Sequence, residues 1–408
     1  MKLVMKMLAL SAVALALPGF ANIVLAQNET VTIAGSLDLS GAAADVGKDV
    51  LDGTQYAIKV LNEKGGVLGK KVELKYQDNG TNPQKAIEQA TSLLRDGARF
   101  LTSPQSSASA IVVSKVVSGK LHVPMCANSA NSDDITIKDF QPYVFQIGPN
   151  SYMEARAIAL KLAKQSYQRY AVISADYAGG RSGANRFKQF ITELNPKAEI
   201  VVEEYPKFGA TDYTATINKV LAAKPDFVWT FLFGSDLITF SKQAQALGFF
   251  DQIQNHFMAL YDGNTLKALG SDAAVGTLGF QRAPVNWLLK SSEDGKAYVT
   301  GFKESMGSYP SDWTTMAYDC VMTWAQAVED AKSFDSDPVM QAIATRQFES
   351  VRGIFRFGPN DHQAEVPVFI GTVMQDKELN QPALDIIDVV PGASVRATEE
   401  AWKKMRGG

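Results

Sequence analysis

Apolar β-type runs alternate with amphipathic helical stretches along almost the whole chain. VTIAGSLDL (31–39) reads as a strand, and 45–61 as a helix stopped by Gly65 and Gly66. KVELKYQD (71–78) alternates at period two, and a helix over 83–96 follows with Pro83 at its start. RFLTSP, SASAIVVSKVV and HVPMCAN continue as strand, helix, strand. After Asn150 the rhythm restarts: EARAIALKLAKQSY helical, RYAVISAD a strand, 183–194 helical, EIVVEEYPK a strand. A helix at 213–223, the fully apolar strand DFVWTFLF, a helix at 237–247 and the strand HFMALY follow. Such a βα succession predicts two doubly wound units with parallel sheets covered on both faces. Beyond about residue 279 there remain two long helices (296–306 and 314–332) and one strand, VPVFIGTVM. That is too little for a third sheet domain, so it is expected to return and complete the first two. Ligands of open α/β sheets bind beyond the carboxyl ends of the strands, so two such units imply a shared cleft.

Composition narrows the function classes. With 40 Lys+Arg against 43 Asp+Glu, the 408-residue chain carries no basic footprint for nucleic acid. The start, MKLVMKMLALSAVALALPGF followed by VLA, reads as a signal peptide over 1–26 with cleavage before Gln27. Its removal takes two lysines and moves net charge from −3 to −5. An exported protein with two cysteines invites a disulfide. Cys126 sits in apolar VPMCA and Cys320 in helical MAYDCVMTWA, so buried free thiols are the expectation here.

Enzyme chemistry finds few parts. His122, His256 and His362 are widely separated, and none has a partner at metal-ligand spacing. DYAGGRSGA (176–184) places Ser182 in a glycine-rich turn between strand and helix, but the nucleophile-elbow pattern needs a second glycine where Ala184 stands. GGVLGK (65–70) follows a helix and lacks the hydroxyl residue of a phosphate loop. No cofactor is expected, and a serine-dependent hydrolase is the remote alternative.

An ordered set of motifs carries a resemblance. LSG (39–41), LNEKGG (61–66), Asp78, Pro83, SPQSSASA (103–110), VPMCANSAN (123–131), DYAGGRS (176–182), QAQALG (243–248) and MAYDCV (316–321) together resemble the Leu/Ile/Val-binding family of periplasmic substrate-binding proteins. The resemblance spans the mature chain. It implies the type I periplasmic binding protein fold, in which two Rossmann-like lobes are joined by three crossovers around a ligand cleft. The crossovers are expected near 146–149, 279–283 and 351–355. The lobes would then comprise 27–146 plus 283–350 and 147–282 plus 351–390, with 391–408 as a tail. The implied function is capture of a carboxylate-bearing solute in the periplasm by a monomer that hands it to ABC permease subunits in the inner membrane. A periplasmic sensor of the same fold is the alternative.

The resemblance also implies ligand contacts. Ser106 and Ser107, with Ser107 preferred, stand at a helix start, where unpaired N–H groups suit a carboxylate. A plain serine cap would look the same. Ser129, Ala130 and Asn131 form the loop that serves the ligand's polar end, with Asn131 in place of a threonine. Tyr177, Gly179, Phe233, Tyr261, Asp262 and Trp313 complete the set; Trp313 reads equally well as a core residue. Val46, Gly179 and Gly234 are smaller than in several amino-acid binders. The expectation is an enlarged pocket for a bulkier ligand such as an aromatic carboxylate, unless neighbouring side chains fill the gaps.

Overall fold

The computed structural model describes residues 29–407; the signal peptide read at 1–26 lies outside them. The first lobe is built on five parallel strands in the order β2-β1-β3-β4-β5. These are β1 (Thr30–Leu37), β2 (Lys71–Asp78), β3 (Phe100–Thr102), β4 (Met125–Ala127) and β5 (Val144–Gln146). The second lobe holds β6 (Arg169–Ser174), β7 (Glu199–Glu204), β8 (Phe227–Phe231), β9 (His256–Leu260) and β10 (Leu278–Gln281). They run parallel in the order β10-β9-β8-β6-β7. After the hairpin β11 (Gln347–Ser350) and β12 (Gly353–Arg356), strands β13 (Val368–Asp376) and β14 (Gln381–Val390) extend this sheet antiparallel beyond β10.

Burial follows the pattern in the sequence. The run FVWTF in β8, apolar but for Thr230, is central and buried at every position, as a strand covered on both faces requires. Alternating β2 and polar β7 take sheet edges.

The chain passes between lobes three times. It leaves β5 for the helix Ser151–Leu162, and leaves β10 for the helices Glu293–Met306 and Asp312–Ala331 of the first lobe. The crossing expected at 351–355 instead falls on the β11–β12 hairpin. The third passage runs through 357–367, where Gln146 and Ala364 pair along the first crossing. The long helix Asp312–Ala331 lies so close to the helix Ala44–Glu63 that a Cβ on Gly53 would come within 2.2 Å of the Thr314 carbonyl oxygen. Only glycine permits that approach. The tail ends in a helix, Glu399–Arg406, whose Trp402 indole donates to the Thr136 carbonyl at 2.9 Å.

The cysteines correct one expectation. Cys126 on β4 and Cys320 on the helix Asp312–Ala331 form a disulfide, with Cα atoms 5.9 Å apart and 194 residues between them in sequence. Their apolar surroundings reflect the first lobe's interior, where both are fully buried. The bond ties the returning segment to the sheet it completes. Closing so long a loop is worth about 2–5 kcal/mol. Denatured, non-reduced protein should therefore take up no thiol alkylating reagent, and Cys126→Ala should lower the unfolding free energy from urea titration by that margin. Two alkylated thiols per chain would refute the pairing.

Candidate functional site

The carboxyl ends of both sheets face one another across a narrow cavity. The first lobe contributes a polar side. After β3 the chain turns into the helix Ser107–Val116, bringing Gln105 and Ser106 to the cavity; the loop after β4 adds Ser129 and Asn131. The second lobe contributes aromatic rings: Tyr177 after β6, Phe208 after β7, Phe231 at the end of β8, and Phe233 beyond it. Tyr177 stacks on Phe208 (centroids 4.5 Å, 18°) and meets Phe233 edge-on at 5.9 Å. Trp313, in the first turn of the helix Asp312–Ala331, closes the ring against Phe233 at 5.8 Å. Burial pushes the Tyr177 phenol well above its ordinary range, so its hydroxyl stays a donor.

Arg282 enters from the second crossover and is the one charged residue lining the cavity among the described residues. It is buried, as is Glu154, whose Oε1 accepts from its Nε at 2.6 Å. Its guanidinium lies 4.7 Å from the Trp313 ring centroid, an attractive cation–π placement. Asp312 accepts from the Arg282 and Ala283 backbone N–H groups, and burial pushes its carboxyl up to about 7. Burial pushes Glu154 upward too, opposed first by Arg282 and also by Asn131, whose Nδ2 donates to Glu154 Oε2 at 2.7 Å. Nothing in the sequence around QRAP marks Arg282; only the crossing places it at the cleft.

Of the residues expected at the site, Ser106, Ser129, Asn131, Tyr177, Phe233 and Trp313 line the cavity. Ser107 does not. Its hydroxyl oxygen accepts from the Asn131 and Ser132 backbone N–H groups at 3.1 and 3.2 Å, so it holds the neighbouring loop. Part of the helix start is also occupied: Asp38 Oδ2 accepts from the N–H groups of Gln105 (3.0 Å) and Ser106 (2.6 Å). Ala130 is buried in the first lobe's interior, and its carbonyl accepts from Gln146. Tyr261 packs inside the second lobe. Asp262 caps the helix Gly263–Leu269, accepting from the Asn264 and Thr265 N–H groups, and borders a second, more open space.

The expected enlargement takes a different form at each small position. A Cβ on Gly179 would lie 2.6 Å from the Tyr177 hydroxyl and 2.8 Å from Ser107 Oγ, so those groups already occupy the gap. Gly234, at φ +52°, opens onto the second space, which it shares with Val46 and Trp313. Val46 also lines the main cavity.

The DYAGGRSGA stretch is helical from Ala178 onward, five residues earlier than its composition suggests. The glycines sit in the first turn because a Cβ on Gly180 would lie 2.0 Å from the Ala175 carbonyl oxygen. The hydrogen-bond partners of Ser182 among the described residues include no histidine. This serine bonds to Asp133 of the first lobe and lies 2.5 Å from Ser151 Oγ. Arg186 Nε donates to the same Asp133 at 2.7 Å, and Asn264 Nδ2 reaches Asp49 across the cleft at 2.9 Å. These bridges hold the lobes in a closed arrangement.

Comparison with known proteins gives this geometry its context. Residues 30–378 match the family described as "Periplasmic binding protein". A leucine-, isoleucine-, valine-, threonine- and alanine-binding protein of Pseudomonas aeruginosa is 25% identical over 364 residues, covering 89% of this chain and 94% of that one. A solute-binding protein of an ABC transporter from Rhodopseudomonas palustris BisB5, solved with 3,4-dihydroxybenzoic acid, superposes with a TM-score of 0.81 at 20% identity, covering 91% and 99%. A leucine-binding protein from Thermotoga maritima gives 0.75 at 22%, covering 88% and 98%. Among the described residues no helix is long and apolar enough to cross a membrane. Two lobes threaded three times around one cleft, matched along nearly their whole length, make this chain a member of the periplasmic binding protein family, of the branched-chain amino acid type.

Proposed function

We propose that the protein is the solute-capturing component of an ABC importer and that its solute is an aromatic monocarboxylate rather than a zwitterionic aliphatic amino acid. One observation carries this reading: among the described residues, five aromatic rings and a single arginine line the cavity, and no carboxylate does. An ammonium within about 4 Å of the Arg282 guanidinium would be disfavoured by about 4 kcal/mol at an effective dielectric near 20. Glu154 offsets part of this, but Arg282 and Asn131 already occupy its two oxygens. A planar carboxylate instead suits the guanidinium fork. A ring behind it would sit among Tyr177, Phe208 and Phe233, where offset and edge-on contacts add about 0.5–1.5 kcal/mol per pair. The P. aeruginosa relative named for aliphatic amino acids and the R. palustris structure with a dihydroxybenzoic acid support either ligand class within this fold. The charge of the lining favours the second.

The mechanism follows from where the parts sit. Gln105, Ser106, Ser129 and Asn131 lie on the first lobe, Arg282 on the second crossover and most of the aromatic rings on the second lobe, so a bound solute touches all of them only when the lobes close. That difference in affinity between open and closed forms is what drives closure. The closed form would then be the one presented to the permease. Denaturing release of the small molecule that co-purifies with the protein, followed by mass spectrometry, should yield an aromatic acid. Recovery of leucine, isoleucine or valine at one equivalent would overturn the reading.

A further inference from the structure

Among the buried side-chain polar atoms of the described residues that find no hydrogen-bond partner, one belongs to a residue lining the cavity: Asn131 Oδ1. Every other polar atom of Asn131 is engaged. Its N–H donates to Ser107 Oγ at 3.1 Å, its carbonyl accepts from the Ser151 N–H at 2.8 Å, and Nδ2 donates to Glu154 Oε2 at 2.7 Å. Glu154 also decides which way the amide faces. Turning it over would set Oδ1 against a carboxylate oxygen, so Oδ1 is held as an acceptor. Glu154 cannot swing away, since Arg282 pins its other oxygen at 2.6 Å.

Native interiors seldom leave such an atom without a partner, because an unmet buried acceptor costs about 1–3 kcal/mol. The other free polar groups at the cavity can all donate: the Ser106 and Tyr177 hydroxyls, which can also accept, and the remaining guanidinium N–H groups of Arg282. We infer that the ligand carries, besides its carboxylate, a neutral O–H or N–H donor that meets Asn131 Oδ1. This rests on the aromatic-carboxylate reading and sharpens it to hydroxy- or amino-substituted aromatic acids. A ligand lacking the donor would bury Oδ1 unpaired, and a site built to be hydrogen-bonded rejects such analogues.

Calorimetric titration of the full mature chain with benzoate, the three hydroxybenzoates and the matching methoxybenzoates tests this. At least one hydroxybenzoate should bind roughly 10- to 100-fold more tightly than benzoate, and its methoxy counterpart should lose that gain. In Asn131→Leu the preference for hydroxybenzoate over benzoate should vanish. Benzoate binding as tightly as every hydroxybenzoate to the unaltered protein would overturn the inference and leave the aromatic reading standing. Failure of all these acids to bind would remove that reading, and this inference with it.

Discussion

Arg282→Met should cost the protein both its ligand and a measurable part of its fold stability. Among the described residues the guanidinium is the one positive charge lining the cavity, and it is also the partner of a fully buried Glu154. Removing one member of a buried ion pair leaves the other uncompensated and typically costs about 3–5 kcal/mol. Protonation of Glu154 would limit that loss at low pH, since burial already pushes its carboxyl upward. Adding Glu154→Gln should therefore restore much of the urea midpoint lost in the single variant. Ligand binding should not return, because the amide supplies no cation. If the double variant binds an aromatic acid like the unaltered protein, Arg282 is a structural residue and the anchor lies elsewhere.

Gly179→Ala should weaken ligand binding by roughly 10- to 100-fold while leaving stability within about 1 kcal/mol. The added methyl would press on the Tyr177 hydroxyl at 2.6 Å, the far end of a side chain that can move, and on Ser107 Oγ at 2.8 Å, which the Asn131 and Ser132 N–H groups hold in place, so the tyrosine is the one to give way. Moving the Tyr177 ring breaks its stack on Phe208 and its edge contact with Phe233. Gly180→Ala supplies the contrast. There the methyl would meet backbone, 2.0 Å from the Ala175 carbonyl oxygen, and the helix start itself must shift. That variant should lose several kcal/mol of stability, toward the upper end for single substitutions. Calorimetry and urea unfolding on both would separate the roles. Equal loss of stability in the two would mean that Gly179 acts through packing alone.

Much of the architecture was legible from hydrophobic pattern because each lobe's strands are buried or exposed according to their place in the sheet. The buried run of β8 and the alternation of β2 say as much before any coordinates. Features set by long-range return of the chain were not legible. Cys126 and Cys320 look like buried apolar positions in any local window, and only the third segment's path brings them together. β14 and the β11–β12 hairpin lie in the same late segment, where no repeat of the βα rhythm announces them.

The site divided along similar lines. Residues just past strand ends, such as Ser129, Asn131 and Tyr177, were found because strand ends converge on the cleft. Ser107 and Tyr261 share that neighbourhood but turn inward, one to backbone N–H groups and one to the second lobe's interior. Arg282 and Phe208 are not legible, since nothing in their local sequence distinguishes a cleft-facing side chain from a surface or core one, whereas Gln105 lies inside SPQSSASA beside the serines that the motif points to. Gly179 had suggested a void, yet Tyr177 turns back into that space.

The central claim is that a carboxylate on an aromatic ring, and not an amino-acid zwitterion, is what closes this cleft. Side-by-side calorimetric titration of the ligand-stripped protein with hydroxybenzoates and with leucine tests it most directly. Saturable one-to-one binding of a hydroxybenzoate, with no heat from leucine at the same concentrations, is the expected result. Tight binding of leucine with no response to any aromatic acid would contradict it.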